Sequence, residues 1–306
     1  MKKKYTSIVT GGAGFIGSNL VDRLVKEGHK VIVLDNFISG KKKNLSHHKK
    51  KDVKIINLDI SSSKNFKKYF NKVDYVFHLA GLAEIIPSMK NPKKYFINNV
   101  IGTLNVLEAS RKIKIKKFIY AASSSCYGNP KNFPTPETER IETKHPYALT
   151  KYLGEELVTR YAIIFNMPNI SFRFFNVYGP RLNTSSQYSA VFGKFISQKL
   201  TNKPLTIAGN GRQTRDFIYV EDLIDTFLKV IKSKLVNKIY NLGSGSETSI
   251  NKVAKLFGGK KIFIPKRLGE PSRSLANISS VRKDISWSPK ISIEEGIKKL
   301  IISYNI

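Results

Sequence analysis

The sequence predicts a doubly wound parallel α/β fold with a smaller C-terminal α/β lobe, and two observations support this. Apolar, β-branched runs recur through the first half of the chain, as YTSIVT, KVIVLD, VKIINLD, VDYVFHLA and KFIYAAS. Helical patterns such as GSNLVDRLVKEG and NNVIGTLNVLEASRK lie between some of them. Continuous apolar strands separated by helices indicate a parallel sheet covered on both faces and joined by right-handed crossovers.

The domain organisation follows from where this alternation stops. It runs to the segment RFFNVYGPR, after which prolines and glycines become frequent and the apolar segments shorten. We therefore expect a first domain over residues 1–177 and a smaller substrate-binding lobe over 178–306. The assignment of residues 212–245 stays open, because this segment can return to the first domain.

Composition restricts the class of protein. The 306 residues carry a formal net charge of +31, but the lysines are spread along the chain and form no basic, aromatic-interleaved patch, so we expect no nucleic-acid partner. No stretch approaches 18 consecutive apolar residues, so we expect no membrane span. One cysteine, Cys126, permits no internal disulfide, and a reduced cytoplasm is the expected location.

The first strand ends in a glycine-rich loop, TGGAGFIG. Gly12, Gly14 and Gly17 have the G-x-G-x-x-G spacing, Gly11 precedes them, and a helical pattern follows at once. Glycines at these positions let the backbone turn tightly and approach a pyrophosphate, which rests on the amides at the start of the helix. The segment therefore predicts a dinucleotide-binding Rossmann domain.

The type of dinucleotide is indicated by Asp35, which ends the second strand 18 residues after Gly17. A carboxylate there can accept hydrogen bonds from both ribose hydroxyls and would repel a 2′-phosphate, so NAD is favoured over NADP. Asp59 ends the third apolar run, where it can reach the adenine or form a simple helix cap. The sequence leaves these two interpretations of Asp59 open.

A tyrosine and a lysine lie four residues apart in HPYALTK, at Tyr147 and Lys151. Pro146 suits the first turn of a helix, which places both side chains on one helical face. A lysine ammonium beside a phenol favours the phenolate, so we expect a lowered tyrosine pKa and proton exchange near neutral pH.

These features together resemble the extended short-chain dehydrogenase/reductase family, and specifically its nucleotide-sugar epimerases and dehydratases. The similarity extends over nearly the whole chain, in TGGAGFIGSN, VIVLDN, HLAG, NNVIGTLNVLEA, AASSSCYG, YALTK, RFFNVYGPR, QTRDFIYVED and RLGE. The resemblance implies that Tyr147 is the acid/base at the sugar 4-hydroxyl and that Lys151 assists it while binding the nicotinamide ribose. It also implies that Ser123, four positions before Tyr127 of the YG pair, binds the 4-oxygen.

The resemblance extends the NAD site beyond the glycine loop. The residues expected to bind NAD are Gly11, Gly14, Phe15, Ile16, Gly17, Asp35, Asn36, Asp59, Ile60, Ala80, Asn99, Tyr147 and Lys151. Asn99 would equally serve as a helix cap. His47 and His48 lie in a lysine-rich loop with no other ligand nearby in the sequence, so no metal site is expected.

The type of reaction is indicated by the absence of carboxylates in the segment Ser123 to Ser125. Similar dehydratases have Thr-Asp-Glu where this chain has Ser123, Ser124 and Ser125, because elimination needs one acid and one base. The related UDP-glucuronate decarboxylases commonly keep a glutamate at the third position. Without these groups the simplest remaining chemistry is oxidation at carbon 4 and reduction from the other face, which is 4-epimerisation.

The resemblance also implies the substrate contacts, expected at Ser123, Ser124, Asn176, Arg215, Arg267, Glu270 and Ser274. Asn176 and the two arginines would bind the diphosphate, and Glu270 the nucleotide ribose. Ser274 stands where epimerases limited to plain hexoses have a tyrosine, so an N-acetyl group would fit. The expected substrates are UDP-GlcNAc and UDP-GalNAc, and also UDP-Glc and UDP-Gal.

Three other functions remain open. A UDP-glucuronate 4-epimerase would use the same serine, tyrosine and lysine but needs a cation near carbon 6, which the sequence does not identify. A nucleotide-sugar dehydratase and a non-catalytic NAD sensor are the others. Family members commonly form homodimers through the tyrosine-bearing helix and the one before it, roughly Tyr95 to Lys112, and we expect the same here.

Overall fold

A computed structural model of the chain describes residues 5–62, 66–184, 191–266 and 271–306. The strands in these ranges are β1 (Thr6–Thr10), β2 (Lys30–Asp35), β3 (Val53–Asn57), β4 (Tyr75–His78), β5 (Lys117–Ser123), β6 (Asn169–Phe174), β7 (Asn176–Tyr178), β8 (Leu205–Ala208), β9 (Thr214–Tyr219), β10 (Lys238–Leu242), β11 (Glu247–Ser249) and β12 (Lys261–Ile264).

The α-helices in the same ranges are α1 (Phe15–Lys26), α2 (Ile85–Lys90), α3 (Pro92–Tyr95), α4 (Gly102–Arg111), α5 (Pro146–Phe165), α6 (Val191–Leu200), α7 (Val220–Lys232), α8 (Ile250–Phe257), α9 (Ser279–Ile285) and α10 (Ile293–Tyr304). A π-helical segment, Phe96–Ile101, joins α3 to α4. Short 3-10 turns lie at Lys42–Leu45, Lys67–Phe70 and Ser124–Tyr127. No helix in these ranges has both the length and the apolar character needed to cross a membrane.

The central sheet has seven strands in the order β10-β6-β5-β4-β1-β2-β3, which confirms the predicted doubly wound fold. The pairs that run from β3 through β2, β1 and β4 to β5 are all parallel. Strand order reverses between β1 and β4, and in such sheets ligands bind outside the carboxyl ends of the strands at this point. Gly11 follows β1 there and Ala80 follows β4.

Apolar residues explain why these segments form the sheet and its helical cover. Ile8, Val76, Phe118 and Tyr120 on the strands are at most 1% exposed and belong to one buried cluster. Helix α4 adds Val106 and Leu107 to this cluster. Strands buried on both faces become continuous apolar runs, which is the pattern that the sequence shows.

The chain divides into two compact units. The first consists of Met1–Cys126, Thr143–Arg173 and Phe227–Tyr240, and the second of Tyr127–Glu142, Phe174–Thr226 and Asn241–Ile306. A division at residue 177 would place Tyr127–Glu142 with the first part of the chain, but this segment packs in the second unit. The second unit contains a three-stranded sheet, β11-β9-β7, and a two-stranded sheet, β12-β8.

Candidate functional site

The glycine loop between β1 and α1 is packed so closely that side chains would not fit. A Cβ at Gly17 would lie 2.1 Å from the carbonyl oxygen of Gly11, and one at Gly11 would lie 2.8 Å from the amide nitrogen of Ala80. Gly11 also has a φ of +69°, which favours glycine. The helix begins after Gly14 without a side-chain cap, so its first amides are directed toward an anion site.

Asp35 ends β2 and is 7% exposed. Its Oδ2 accepts a hydrogen bond from the amide of Ala13 at 2.9 Å, and its Oδ1 accepts one from the amide of Phe37 at 2.8 Å. Each oxygen keeps a second lone pair, so the carboxylate can still accept ribose hydroxyls. The first contact connects the glycine loop to the end of β2, and the second lies within the loop that follows β2.

Asp59 forms a local turn beyond β3. Its Oδ1 accepts hydrogen bonds from the amide and the hydroxyl of Ser61, at 2.8 and 2.6 Å, and its Oδ2 accepts one from Asn36 at 3.3 Å. Burial alone would raise the pKa of Asp59, but these hydrogen bonds lower it. Ile60, the next residue, is buried. Asp59 therefore caps a turn, and a contact with adenine remains a prediction.

Asn99 braces the loop that follows β4. Its Oδ1 accepts from the amide of Leu82 at 2.8 Å, and its Nδ2 donates to the carbonyl of Leu82 at 3.0 Å and to the hydroxyl of Thr150 at 3.0 Å. The residue is 1% exposed and lies inside the π-helical segment, so it does not open a helix. The alternative that Asn99 is a helix cap is wrong, because its side chain bonds across to another segment.

A directed chain of hydrogen bonds lies beneath this loop. The Thr103 hydroxyl donates to the carbonyl of Asn99 at 2.6 Å, so its oxygen accepts from Nε2 of His78 at 2.9 Å. Nδ1 of His78 then accepts from Thr10 at 2.7 Å, and Thr10 accepts from the amide of Ala80 at 3.2 Å. Burial, with a smaller effect of Lys151, lowers the pKa of His78 to about 3. The histidine is therefore neutral and structural.

Three hydroxyls converge where β5 meets the start of α5. The Tyr147 hydroxyl donates to Oγ of Ser123 at 3.2 Å, and Oγ of Ser125 lies 2.8 Å from Oγ of Ser123. Ser125 also donates its amide to Ser123 at 3.2 Å. The structure thus brings together Ser123 and Tyr147, as the sequence predicted, and adds Ser125 as a direct neighbour. Ser124, between them, is half-buried.

The ionisation of Tyr147 differs from the sequence-based expectation. Burial raises the pKa of Tyr147, while hydrogen bonds with Ser123 and Ser125 oppose this effect. Lys151 does not contribute to this shift of the Tyr147 pKa. The expected lowering of the tyrosine pKa by the lysine is therefore not found in the protein without bound ligands. The physical reason is that a buried phenolate loses its hydration, which disfavours the charged form.

Lys151 is itself buried, at 7% exposure. Burial lowers the pKa of Lys151 to about 7, and the negative charge of Glu155 works in the opposite direction. Its Nζ lies 4.4 Å from the centre of the Tyr120 ring, an arrangement that stabilises a cation. Glu155 forms a buried ion pair with Arg173 at 2.6 Å. Sequence reasoning missed Tyr120 and Glu155, since neither has a motif of its own.

Three further candidate substrate residues, Asn176, Arg215 and Ser274, lie in the second unit. Nδ2 of Asn176 donates to the carbonyl of Asp216 at 3.2 Å, and Arg215, 8% exposed, donates to the carbonyl of Thr214 at 2.8 Å. Ser274 is half-buried. Arg267 and Glu270 lie outside the described residues.

A cavity of about 450 Å³ opens in the second unit. Its size falls in the range of small-molecule sites. The lining residues are Gly209, Asn210, Arg212, Gln213, Lys266, Pro271 and Ser272. Arg212 and Lys266 give this cavity a positive character that suits an anionic ligand.

His47 and His48 are not isolated from other potential ligands. Nε2 of each ring lies within hydrogen-bond distance of Oδ1 of Asp22, at 2.9 and 2.7 Å. The sequence-based expectation that no further ligand lies near these histidines is wrong, because α1 brings Asp22 to them although 25 residues separate Asp22 from His47.

The fold and this site define a class: a dinucleotide-binding α/β protein with a serine at the end of its fifth strand and a tyrosine and a lysine on the helix α5. Residues 7–243 match the family described as the NAD dependent epimerase/dehydratase family, and the chain belongs to it. Its cofactor is accordingly NAD. The glycine loop fits the pyrophosphate of such a cofactor, because Gly11 and Gly17 allow the tight turn that leads into α1, and the start of that helix has no side-chain cap.

Similar proteins include a putative UDP-glucose 4-epimerase of Methanocaldococcus jannaschii, 36% identical, with 96% of each chain covered. A solved UDP-N-acetylglucosamine 4-epimerase of Methanobrevibacter ruminantium, in complex with UDP-N-acetylmuramic acid, is 33% identical with a TM-score of 0.92, covering 98% of this chain and 99% of that one. A UDP-glucuronic acid 4-epimerase of Bacillus cereus, solved with UDP-glucuronic acid and NAD, is 32% identical with a TM-score of 0.91 and the same coverage.

Proposed function

We propose that this chain is an NAD-dependent 4-epimerase of a UDP-sugar. The observation that carries the proposal is the group of hydroxyls formed by Tyr147, Ser123 and Ser125, with serines where an elimination needs carboxylates. The nearby Glu155 is buried and paired with Arg173 at 2.6 Å, so it does not replace them. The similarity to UDP-sugar 4-epimerases supports the same reaction.

In the proposed mechanism, Tyr147 removes one proton from the substrate and later returns it. The Tyr147 oxygen takes the proton of the sugar 4-hydroxyl. It returns the proton after the 4-keto sugar has rotated to present its opposite face. Ser123, which lies 3.2 Å from the Tyr147 oxygen, holds the 4-oxygen in line with it. NAD, when bound, would supply the hydride acceptor and donor for carbon 4. Lys151, on the same helical face, is proposed to bind the nicotinamide ribose and to assist Tyr147 once cofactor and substrate are in place.

The nucleotide end of the substrate is assigned to the second unit. Arg212 and Lys266 line the cavity of about 450 Å³, and a diphosphate would bind their charges there. Asn176 and Arg215 are proposed as further diphosphate ligands. Ser274 is proposed to leave room for the 2-acetamido group of UDP-GlcNAc or UDP-GalNAc, and similarity to a UDP-N-acetylglucosamine epimerase supports this substrate class.

A test of the reaction is incubation with UDP-Glc, UDP-GlcNAc and UDP-glucuronate, with the 4-epimers identified by NMR. We expect epimerisation of UDP-GlcNAc, and a loss of about 10²–10⁴-fold in kcat for Tyr147→Phe, the range for removal of a general acid/base. Tyr152→Phe on the same helix is the matched control and should keep its activity. Formation of a 4-keto-6-deoxy sugar instead would show a dehydratase and contradict the proposal.

The same experiment tests the second candidate, a UDP-glucuronate 4-epimerase, which similarity to the Bacillus cereus enzyme favours. Turnover of UDP-glucuronate alone would select it. The variant Ser274→Tyr separates the substrate classes further. We expect it to lose turnover of UDP-GlcNAc while turnover of UDP-glucose persists; equal rates with UDP-GlcNAc before and after the change would contradict the proposed role of Ser274.

We also propose that two copies associate through the first unit, and that the enzyme acts in the cytoplasm, a location compatible with one buried cysteine. An exposed apolar face supports the homodimer: Ile97 and Ile101 are 40% and 44% exposed, and Ile163 and Ile164 are 65% and 63% exposed. Ile163→Glu with Ile164→Glu should convert a dimer to a monomer in light scattering. A monomeric wild-type chain would contradict the dimer without affecting the proposed reaction.

A further inference from the structure

Two histidines and an aspartate form a cluster on the surface of the first unit, apart from the residues assigned to the reaction. Asp22 lies on α1, and His47 and His48 follow the 3-10 turn Lys42–Leu45. Both Nε2 atoms point at the same carboxylate oxygen, at 2.9 and 2.7 Å, and the ring centres lie 4.1 Å apart. We call these three residues the His–His–Asp cluster.

The backbone that leads into the two histidines is fixed by packing and hydrogen bonds. Leu45 is 1% exposed, and the amide of His48 donates to its carbonyl at 3.2 Å. Nδ2 of Asn44 and the amide of Lys41 both donate to the carbonyl of Ala13, at 2.8 and 3.0 Å. The His48 side chain is only 9% exposed. His47 is more exposed, at 50%, but its ring also contacts Asp22, so the three donor atoms already lie together before any ligand arrives and the entropy cost of binding is reduced.

We propose that the His–His–Asp cluster binds one zinc-class transition-metal ion through Nε2 of His47, Nε2 of His48 and a carboxylate oxygen of Asp22. Tetrahedral zinc with bonds of about 2.0–2.1 Å requires its ligand atoms to lie roughly 3.3 Å apart. The three atoms already lie within 4.8 Å of one another. Small side-chain rotations suffice, with both neutral rings carrying their proton on Nδ1, and water completes the coordination.

The surrounding charge determines which metal fits. Lysines flank the histidines in sequence at Lys41–Lys43 and Lys49–Lys51, and they oppose any cation by Coulomb repulsion. A hard ion such as Mg²⁺ prefers oxygen ligands and would not overcome this repulsion with one carboxylate. Zn²⁺ and Ni²⁺ meet the same repulsion, but they also form strong coordinate bonds to imidazole nitrogen, which offset it. We therefore expect Zn²⁺ to bind and Mg²⁺ not to.

Metal in this site would join two segments next to the proposed dinucleotide site. It would fasten the loop that follows Asp35 to α1, the helix that begins at the glycine loop. Because metal binds the native state and not the separated ligands of the unfolded chain, Zn²⁺ should raise the thermal unfolding temperature. This consequence does not depend on the reaction catalysed.

The test measures Zn²⁺ binding to the purified full chain by competition with a chromophoric zinc chelator. We expect one Zn²⁺ per chain, and at least a tenfold loss of affinity for His48→Ala and for Asp22→Asn. Asp52→Asn is the matched control, because it changes the charge equally at the end of the same loop; it should bind Zn²⁺ as the wild type does.

Thermal unfolding with and without Zn²⁺ provides the second measurement. The unfolding temperature should rise with Zn²⁺ in the wild type and in Asp52→Asn, and stay constant in the two cluster variants. Unaltered binding by both cluster variants, absence of stoichiometric binding by the wild type, or equal losses in Asp22→Asn and Asp52→Asn would each overturn the proposal.

Discussion

The charge state of the buried Lys151 depends on the side chains that surround it. Its Nζ lies over the ring of Tyr120 at 4.4 Å, and Glu155, one turn further along α5, acts on its charge. Burial nevertheless lowers the pKa of Lys151 to about 7. Such perturbed groups concentrate at functional sites, because solvation is given up for chemistry.

The free-energy cost of burying Lys151 can be measured by replacing this residue. The folded-state pKa of Lys151 is about 7 against an ordinary value of 10.5, so between these pH values the unfolded chain binds more protons and wild-type stability rises with pH. Below pH 7 the full penalty is present, at most about 4–5 kcal/mol from the size of the shift. Lys151→Met should therefore unfold at higher urea concentration than the wild type at pH 6, with an advantage that disappears near pH 10.5.

An unchanged urea midpoint for Lys151→Met at pH 6 would contradict the lowered pKa. The same variant should lose epimerase activity, so one substitution separates stability from function.

The ring of Tyr120 should act through Lys151. Removal of the ring in Tyr120→Leu should lower the lysine pKa and move the alkaline limb of the kcat profile to lower pH by roughly one unit, given a cation–π energy of about 0.5–2 kcal/mol. Tyr120→Phe keeps the ring and should keep the profile. An equal shift in both variants would mean that the hydroxyl, which donates to the Lys151 carbonyl at 3.2 Å, is responsible instead.

The sequence predicted the position of a single functional residue only where spacing along a helix or the end of a strand determines that position. Tyr147 and Lys151 share a helical face because they are four residues apart, and Asp35 follows from the strand that it ends. Tyr120 lies inside an apolar strand, where any aromatic residue satisfies the pattern. Its position beneath Lys151 results from the packing of α5 on β5, and a local sequence pattern does not predict this packing.

At the level of elements, the π-helical segment Phe96–Ile101 sets the direction of Asn99. A π turn inside a helix frequently marks a functional position. Here it lets the buried amide reach the loop at Leu82 while the helix continues into α4. A plain amphipathic pattern predicts the helix but not the turn, so the brace could not be predicted from the sequence.

Asn99→Ala should loosen this loop. The substitution leaves the amide and the carbonyl of Leu82 without the partner found in the structure, and we expect a loss of about 1–3 kcal/mol in the free energy of unfolding. Hydrogen exchange at the Leu82 amide should accelerate. Asn98→Ala, which removes one exposed bond to the carbonyl of Lys94, is the control and should change neither quantity appreciably.

Close packing of α5 on β5 gives a second test at this scale. A Cβ at Gly154 would lie 2.1 Å from the hydroxyl oxygen of Tyr120, so Gly154→Ala should destabilise the protein by about 1–3 kcal/mol through overpacking. The double variant with Tyr120→Phe removes that oxygen and should recover part of the lost stability in urea unfolding. Simple addition of the two effects would show that the hydroxyl is not the obstacle.

For the whole molecule, the sequence was sufficient for the doubly wound sheet, because each strand is a continuous apolar run and the helices between them have the helical apolar period. It was insufficient for the membership of Tyr127–Glu142, which lies between β5 and α5 in sequence but packs in the second unit. Polar, proline-containing loops have no period, and their location depends on distant partners. The network of Tyr127, Asn241 and Thr135 holds this segment in place.

The net charge is also a property of the whole molecule. The chain has 53 basic and 22 acidic residues, so most cations have no acidic partner available in the sequence. Ion pairs such as Lys252 with Glu294 are exposed and contribute little, whereas repulsion among the remaining cations acts over the entire fold. At 0.01 M salt the screening length is about 30 Å, and at 0.15 M it is about 8 Å.

Added NaCl should therefore stabilise this protein, since screening weakens repulsion more than it weakens a few exposed ion pairs. Between 0.01 and 0.5 M NaCl we expect the unfolding temperature to rise by a few degrees, which corresponds to about 1 kcal/mol for a chain of this size. Replacement of Lys49, Lys50 and Lys51 by glutamine should raise stability at low salt and reduce the salt dependence. A fall in unfolding temperature with salt would mean that ion pairs outweigh the repulsion, and the triple variant would then be less stable than the wild type.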